Sequence, residues 1–311
     1  MTDLTAFVLI MGAGLAAGCG LFAFALHKNG QPSVRALAAF LAGAASAFVG
    51  AKFFFLLADL GADLTVNGLG AVIDPNPEKL SFVGGCIGFV SGAALALRLS
   101  GGCPGKALDL FAVPGCVTLL AARLAQGALG GIGCGDYVSG TAWAVPLLSV
   151  ADEWGDRYLA VFFLEAAAAL LTGLWAFLTR HKKYDLSLFS RTVYALCVLQ
   201  LFLEMLKTTW VPLVISFIRL DQVLCAFLML FMLLPAVKKT GRKAPAVIFF
   251  ICIAVNGITQ YIMDKPYLFI WVFPEDIETW IGENLYPLGL GIMALTVAGA
   301  LVPVLKRKKE A

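Results

Sequence analysis

The chain has few charged residues for its length. Charged side chains make up 14% of its 311 residues, hydrophobic residues make up 60%, and the mean hydropathy is +0.88. A soluble domain has about 25% charged residues, so this composition excludes a soluble globular protein. The formal net charge is only +3, and a nucleic-acid partner is not expected.

Histidine is nearly absent, and the cysteines are not spaced as metal ligands. The chain has two histidines, His27 and His181, and its eight cysteines include no CxxC pair. A histidine–cysteine metal site is therefore not expected, and no cofactor is predicted. Most of the cysteines are predicted to pack in apolar surroundings. Cys134 alone lies in a predicted outer loop, where its thiol could react.

Long apolar runs are abundant, and most approach the roughly 20 residues that a helix needs to cross the hydrocarbon. Because backbone hydrogen bonds must be satisfied within lipid, continuous runs of this length predict helices. We therefore predict an all-α fold, a polytopic membrane helix bundle of about nine spans. The predicted spans are residues 6–26, 36–58, 81–99, 107–127, 158–178, 192–211, 217–236, 245–263 and 285–305.

The basic residues indicate how the bundle is oriented. Most of the 23 Lys and Arg residues lie in loops on one side of the predicted spans. Positive loops face the cytoplasm, so the N-terminus is expected outside and the C-terminus in the cytoplasm. The opposite loops are longer and acidic, and the segment 264–286 could form a lid that docks a partner. The first apolar run follows Asp3 and no basic segment, so no cleavable signal peptide is expected.

An arginine within an apolar run is the main functional signal. Arg123 lies in 107–127, and an arginine at the centre of a span costs about 2.5–3.5 kcal/mol on insertion scales. It is therefore expected to face a protein interior or a wet cavity, and Gln126 shares its helix face. Two interpretations remain open. Arg123 grips a lipid phosphate, or it forms a structural ion pair with Glu165 or Glu204.

Polar residues on two other spans follow the helical repeat. Gln200, Glu204 and Lys207 have i, i+4, i+7 spacing. Tyr158 and Glu165 are seven residues apart, two turns along one predicted helix. Aligned polar residues on two spans indicate that the bundle has a polar interior. Further ionisable residues in or at the edges of apolar runs are Lys52, Asp109 and Asp221.

Glycines recur every four residues at the start of the third span. Gly84, Gly88 and Gly92 share one helix face, which favours close helix packing. Gly84 and Gly85 also suit a cradle in which exposed backbone N–H groups hold a lipid headgroup. Both interpretations remain open from the sequence.

These motifs, in this order, resemble the prolipoprotein diacylglyceryl transferase family over about residues 4–237. The matching segments are Ser81–Gly88 (its His-Gly-Gly motif), 107–127 (its signature segment), Ala142–Val145 (its Pro-Trp-Ala stretch), Arg157–Glu165 (its Gln-Leu-Tyr-Glu helix), Glu204 with Lys207 (its late Arg-x-x-x-Glu-x-x-Arg stripe) and Asp221-Gln222 (the Gly-Gln that opens its last span). The resemblance implies a seven-span transferase-like core in residues 1–237 and a two-span extension in residues 238–311.

The resemblance also implies an activity, a location and partners. The expected protein lies in the bacterial cytoplasmic membrane and moves a diacylglyceryl group from phosphatidylglycerol, or another anionic phospholipid, to the lipobox cysteine thiol of a prolipoprotein. The signal-peptide region of that prolipoprotein is the second expected partner. The residues implied to bind lipid are Gly84, Gly85, Arg123, Gln126, Tyr158, Gln200 and Lys207.

The chain departs from the family at several of these positions. Val83 stands where the motif histidine is expected, Gln200 and Lys207 stand where arginines are expected, and Gln126 replaces the signature asparagine. Phe7 lies roughly where an N-terminal tyrosine is expected. Lysine does not reproduce the bidentate grip of arginine, so these departures affect the handling of both the proton and the phosphate.

Three residues are expected to carry out the transfer, and two alternative functions remain open. Arg123 would stabilise the departing glycerophosphate, and Glu204 or Glu165 would serve as base toward the acceptor. One alternative is a catalytically degenerate paralogue that binds a lipid or a protein partner. Another is a small-molecule transporter, although the chain lacks internal inverted repeats.

Overall fold

A computed structural model describes residues 4–59, 62–74, 76, 79–129, 133–141, 143–146, 148–182, 184, 186–207, 213–215, 218–241, 243–264, 288–289 and 291–301. Helices dominate this part of the chain. They are α1 (Leu4–Lys28), α2 (Val34–Ala58), the short α3 (Ala62–Asn67) and α4 (Gly70–Ile73), α5 (Phe82–Leu99), α6 (Pro104–Gln126), α7 (Val161–Thr179), α8 (Leu188–Leu203), α9 (Leu220–Thr240) and α10 (Ala244–Asp264).

The predicted class, an all-α membrane helix bundle, is confirmed. Seven of the described helices are long and apolar enough to cross a membrane: α1, α2, α5, α6, α7, α8 with the turn that follows it, and α10. The predicted spans 217–236 and 285–305 correspond to shorter apolar helices, Leu220–Pro235 and Gly291–Leu301. The total of nine spans stays a prediction. The predicted lid at 264–286 lies outside the described residues after its first residue.

Two small antiparallel pairs of strands lie in the connections between helices. β1 (Ser149–Ala151) pairs with β2 (Arg157–Leu159), and β3 (Leu213–Ile215) pairs with β4 (Ile218–Arg219). The structure also corrects the bounds of two predicted spans. The span expected at 158–178 begins only at Val161, because residues 157–159 hydrogen-bond as a strand. The helix expected at 192–211 ends at Leu203, and a 3-10 turn follows it.

The bundle is arranged around α8. In the apolar stretch of α8, 56% of the residues are buried inside the structure, whereas in that of α1 only 17% are buried. Helix α8 is therefore central, and α1 faces lipid. The helix pairs with the most extensive contacts are α2 with α5, α1 with α6, α6 with α7, and α8 with α9. The boundary expected between residues 237 and 238 falls inside α9, and α10 packs against that same helix. The division of the chain into a core and a two-span extension stays a prediction.

Helix α5 packs closely against α2 because glycines form the contact. A Cβ atom on Gly88 would overlap the carbonyl oxygen of Ser46, and one on Gly92 would overlap the Ser46 side chain. A Cβ atom on Gly50 would lie 2.6 Å from the carbonyl oxygen of Gly84. Small residues at a helix interface allow this backbone approach. The packing interpretation of the glycine repeat is therefore confirmed.

Replacing Gly88 by alanine tests this contact. Because the new methyl group meets rigid backbone of Ser46, Gly88→Ala is expected to lower the free energy of unfolding by about 1–3 kcal/mol, the usual cost of overpacking. The measurement is the thermal denaturation midpoint in detergent. Gly12→Ala is the matched control, since a Cβ atom there has nothing within 4 Å. Equal midpoints for the two variants would contradict the packing argument.

Candidate functional site

A cavity of about 660 Å³ lies within the bundle. This volume is within the range of about 300–1,000 Å³ that is typical of ligand pockets. Residues of α1, α2 and α5–α9 line the cavity, and most of them are apolar. Its only charged lining residues, among those the structure describes, are Arg123 and Glu165. The cavity is thus amphipathic, with its charge at the end where α6 finishes and α7 begins.

Arg123 is buried and has four compensating partners. Its Nη1 donates to Oε1 of Gln126 at 3.0 Å, and its Nη2 donates to Oε1 of Gln200 at 2.9 Å. Oε2 of Glu165 lies 3.1 Å from Nη1. The guanidinium carbon lies 3.3 Å from the centre of the Phe82 ring, a cation–π contact. These four partners come from α5, α6, α7 and α8, so one arginine joins four helices.

A second cation, Lys207, joins the two glutamates. Its Nζ lies 2.7 Å from Oε1 of Glu165 and 3.0 Å from Oε2 of Glu204. The amide of Gln200 donates to the same two carboxylates, at 2.6 and 2.7 Å. Arg219 extends the network, with Nη1 at 3.8 Å from Oε1 of Glu204, and it donates a hydrogen bond to the Lys207 carbonyl. The two glutamates are therefore held by cations and amides together.

A third carboxylate, Asp221, lies at the start of α9 and is also buried. Its Oδ1 accepts a hydrogen bond from the Ser81 hydroxyl at 2.6 Å, and its Oδ2 lies 3.4 Å from the backbone nitrogen of Val83. It thus occupies the N-terminus of α5, where a negative charge is favourable. The sequence indicates that Asp221 is an ionisable residue at the edge of an apolar run, but it does not predict this contact. The two partners are 140 residues apart, and no spacing pattern in the sequence links them.

The six charged residues form what we call the buried cluster, and their formal charges cancel. The members are Arg123, Lys207, Arg219, Glu165, Glu204 and Asp221. A buried charge without a counter-charge is strongly unfavourable. Neutrality therefore explains how one end of a lipid-embedded bundle can hold six ionised side chains.

The structure brings together most of the predicted site residues. Arg123, Gln126, Glu165, Gln200, Glu204 and Lys207 are all in contact with at least one other member of this group. The ion pair between Arg123 and Glu165 expected as one interpretation is present. It leaves the phosphate interpretation open, since Arg123 also lines the cavity.

Three predicted lipid-binding residues do not fit as expected. Tyr158 is on β2, not on the helix that carries Glu165, and its ring lies 6.0 Å from the Tyr137 ring, away from the cavity lining. The Gly84 amide donates to the Ser81 hydroxyl oxygen, and the Gly85 amide donates to the Ser81 carbonyl. These amides are therefore engaged in the cap of α5, while Gly85 also lines the cavity, and lipid binding by these glycines stays a prediction.

Cys134 is also not the reactive thiol that its loop position suggested. It is 8% exposed and packs against Ala160 and Phe162. Burial raises the pKa of its thiol above the ordinary value, so the nucleophilic thiolate is disfavoured. Cys103, at the start of α6, is the exposed cysteine of the chain.

The fold and the site together define a multi-pass helical membrane protein with an apolar cavity that ends at a charge-balanced cluster of buried ion pairs. No protein-family model matches the chain, and no curated protein matches it.

The charge balance of the buried cluster predicts that removing one of its carboxylates lowers the stability of the protein. Glu165→Gln leaves two cations facing one fewer carboxylate, and breaking a buried ion pair costs about 3–5 kcal/mol. We expect a clearly lowered denaturation midpoint in detergent, and partial recovery when Lys207→Met is added to restore neutrality. Lys79→Met, which removes an ion pair with Asp63 at the protein surface, is the control and should change little. A single Glu165→Gln variant as stable as the wild type would contradict the charge-balance argument.

Proposed function

We propose that this protein binds one anionic phospholipid in its cavity and transfers the diacylglyceryl group of that lipid to a thiol acceptor. The observation that carries the proposal is the amphipathic cavity. Its apolar walls suit acyl chains, and its only charged lining residues in the described part of the chain, Arg123 and Glu165, lie together at one end. A phospholipid has the same division between an apolar body and a charged head.

The headgroup would be recognised when its phosphate replaces Glu165 as the anionic partner of Arg123. A guanidinium binds phosphate bidentately, and here its carboxylate partner is Glu165. A phosphate that reaches Arg123 would replace this partner, while Glu165 would keep Lys207 at 2.7 Å. The exchange leaves both Arg123 and Glu165 with a partner of opposite charge. A zwitterionic headgroup would bring an ammonium group to the same cations, so an anionic lipid is the better occupant.

The cavity is placed for a substrate that arrives from the bilayer. Phe48 on α2 and Phe231 on α9 both line it, and they are 40% and 68% exposed. The cavity therefore reaches the lipid-facing surface of the bundle. This supports lateral entry of a lipid between helices, and it does not require a route through the aqueous loops.

The proposed reaction balances without a further reagent. The acceptor sulfur forms a bond to the glyceryl carbon that carries the phosphate, and the carbon–oxygen bond breaks. Glycerol phosphate leaves with that oxygen, and Arg123 stabilises its growing charge. The resemblance suggests phosphatidylglycerol as donor and the lipobox cysteine of a prolipoprotein, presented by its signal-peptide region, as acceptor.

Glu165 and Glu204 are the expected bases, but they are better suited to holding Lys207 and Gln200 in position. Glu165 and Glu204 each accept from Lys207 and from Gln200. A proton on either would disrupt an ion pair. This arrangement, with Val83 where the resemblance expects a histidine, also favours a second candidate function, a protein that binds the phospholipid without transferring it.

We further propose that the buried cluster lies near the outer leaflet of the bacterial cytoplasmic membrane. The placement rests on the basic loops, which favour an outer N-terminus. With that orientation α6 runs outward, so that Arg123 near its C-terminus is outside and Cys103 at its start is inside.

The first experiment is a lipid-binding and transfer assay with the full chain in nanodiscs. Labelled phosphatidylglycerol and a lipobox peptide are compared between the wild type and Arg123→Gln/Glu165→Gln, which keeps the cluster neutral. The loss of one charged hydrogen bond, about 1.5–3 kcal/mol, predicts weaker lipid binding by about 10- to 100-fold. Lys79→Met is the control for a lost surface charge.

The outcomes of that assay are distinct. Lipidated peptide from the wild type alone supports the transferase. Binding of phosphatidylglycerol that depends on Arg123, without product from any thiol acceptor, supports the second candidate. If the wild type and the double variant bind phosphatidylglycerol equally, the site is not at Arg123 and the proposal is wrong.

Thiol labelling tests the orientation. A membrane-impermeant maleimide is expected to label Cys103 in inverted vesicles but not in intact cells, because this exposed cysteine would face the cytoplasm. Cys134 should stay unlabelled from either side until the protein unfolds, because it is buried. Cys103→Ser is the control for reagent specificity. Labelling of Cys103 in intact cells would show the opposite orientation.

A further inference from the structure

The proposed transfer requires a group that accepts the proton of the thiol, and the roles assigned above leave one carboxylate of the cluster unused. We propose that Asp221, acting through the hydroxyl of Ser81, is this proton acceptor. The inference rests on the proposed function, since it assigns a role within the same cavity. It concerns a residue for which the sequence predicted no role.

Ser81 connects Asp221 to the cavity. Ser81 lines the cavity, whereas Asp221 lies behind it. The Ser81 oxygen accepts a hydrogen bond from the Gly84 amide at 2.9 Å and donates its own hydrogen to Oδ1 of Asp221 at 2.6 Å. An ionised carboxylate has no proton to donate, so the direction of the second bond is fixed. The remaining lone pair of the hydroxyl is available to a proton donor in the cavity.

Asp221 differs from the two glutamates in its partners. Glu165 and Glu204 both have cations within 4 Å. Among the residues that the structure describes, no cation lies within that distance of Asp221, whose hydrogen-bond donors are a hydroxyl and a backbone amide. A proton on Asp221 therefore breaks no ion pair. Of the three carboxylates it is the one that can change its charge while the cluster stays assembled.

The position of Asp221 relative to α5 supports the same role. Its Oδ2 lies 3.4 Å from the backbone nitrogen of Val83. The contact therefore joins the first turn of α9 to residue 83, a position at which the chain departs from the resemblance described above. The carboxylate of Asp221 on α9 thus reaches the first turn of α5, where the apolar residue Val83 occupies the position of the motif histidine.

The proton transfer can be written in full. The thiol proton passes to the Ser81 oxygen while the Ser81 proton passes to Asp221, so the serine is unchanged. The sulfur electron pair forms the carbon–sulfur bond, and the electrons of the carbon–oxygen bond leave with glycerol phosphate. Asp221 then returns the proton through Ser81 to the departing phosphate. No atom or charge is left over at the end of the cycle.

Several titratable groups act on Asp221 from the neighbouring segments and would shape its pH dependence. They are Arg123 on α6, Glu204 and Lys207 after α8, Arg219 before α9, and the thiols of Cys86 on α5 and Cys225 on α9. All of these groups remain in the test variants, so the pH dependence isolates Asp221.

The test compares Asp221→Asn with Asp109→Asn in full-length protein in nanodiscs. Asparagine keeps the size of the side chain and an oxygen for the Ser81 hydroxyl, but it is not a base. Asp109 is a matched control because its Oδ1 accepts from the Phe189 amide, at 2.8 Å, at the start of another helix, α8. The readout is the rate of diacylglyceryl transfer from phosphatidylglycerol to a thiol peptide at saturating lipid, measured across pH.

The expected result is a rate lowered by about 10²- to 10⁴-fold in Asp221→Asn, the usual contribution of a general base. The variant should still bind phosphatidylglycerol, because Arg123 is intact. The wild-type rate should rise with pH as Asp221 loses its proton, and the variant should lack this rise. Ser81→Ala should lose part of the rate, and Asp221→Glu should restore part of it. A wild-type rate and pH profile in Asp221→Asn would overturn the proposal.

A second readout keeps the test independent of transfer activity. If the wild type transfers nothing, the proposed transfer fails, but protonation of Asp221 is still measurable by infrared spectroscopy. The carbonyl band of a protonated carboxylic acid should appear as pH falls, disappear in Asp221→Asn, persist in Asp109→Asn and shift in Ser81→Ala. If the wild type shows no band that Asp221→Asn removes, Asp221 is a fixed charge that only caps α5, and the inference is wrong.

Discussion

The structure depends on the compensation of one buried charge, the guanidinium of Arg123. Lipid offers no water to solvate it, so the protein must supply every partner. Glu165 supplies the negative charge, Gln126 and Gln200 supply amide oxygens, and Phe82 supplies an aromatic face. Since each partner comes from a different helix or turn, satisfying this one residue fixes the ends of four helices in one layer.

Neutrality of the buried cluster then limits what can bind there. Three cations and three carboxylates leave no free charge to attract a ligand from a distance. An anion can enter only where it replaces a carboxylate, and Arg123 with Glu165 is the pair that lines the cavity. In the proposed function, an anionic headgroup would open the ion pair of Arg123 with Glu165, and a neutral amphiphile in the same cavity would leave it intact.

Local periodicity predicted much of this arrangement, but contacts distant in sequence could not be predicted. The helical repeat correctly grouped Arg123 with Gln126, which share a face of α6, and Gln200 with Glu204, which lies one turn further along, directly after the end of α8. It failed at Tyr158, since residues 157–159 form a strand only when residues 149–151 are opposite. The contact between Ser81 and Asp221 depends on the packing of α5 beside α9, which leaves no trace in either segment's sequence.

The three carboxylates of the buried cluster differ in whether they can change their charge, because their binding partners differ. Glu165 and Glu204 are bound by cations, so their charge holds the network together. Asp221 is bound by neutral donors, so its charge can change without cost to an ion pair. In the proposed reaction, lipid exchange opens the pair of Arg123 with Glu165, and proton transfer uses Asp221. Because the two proposed events use separate carboxylates, a variant that lacks the base at position 221 is expected to bind phospholipid without transferring its diacylglyceryl group.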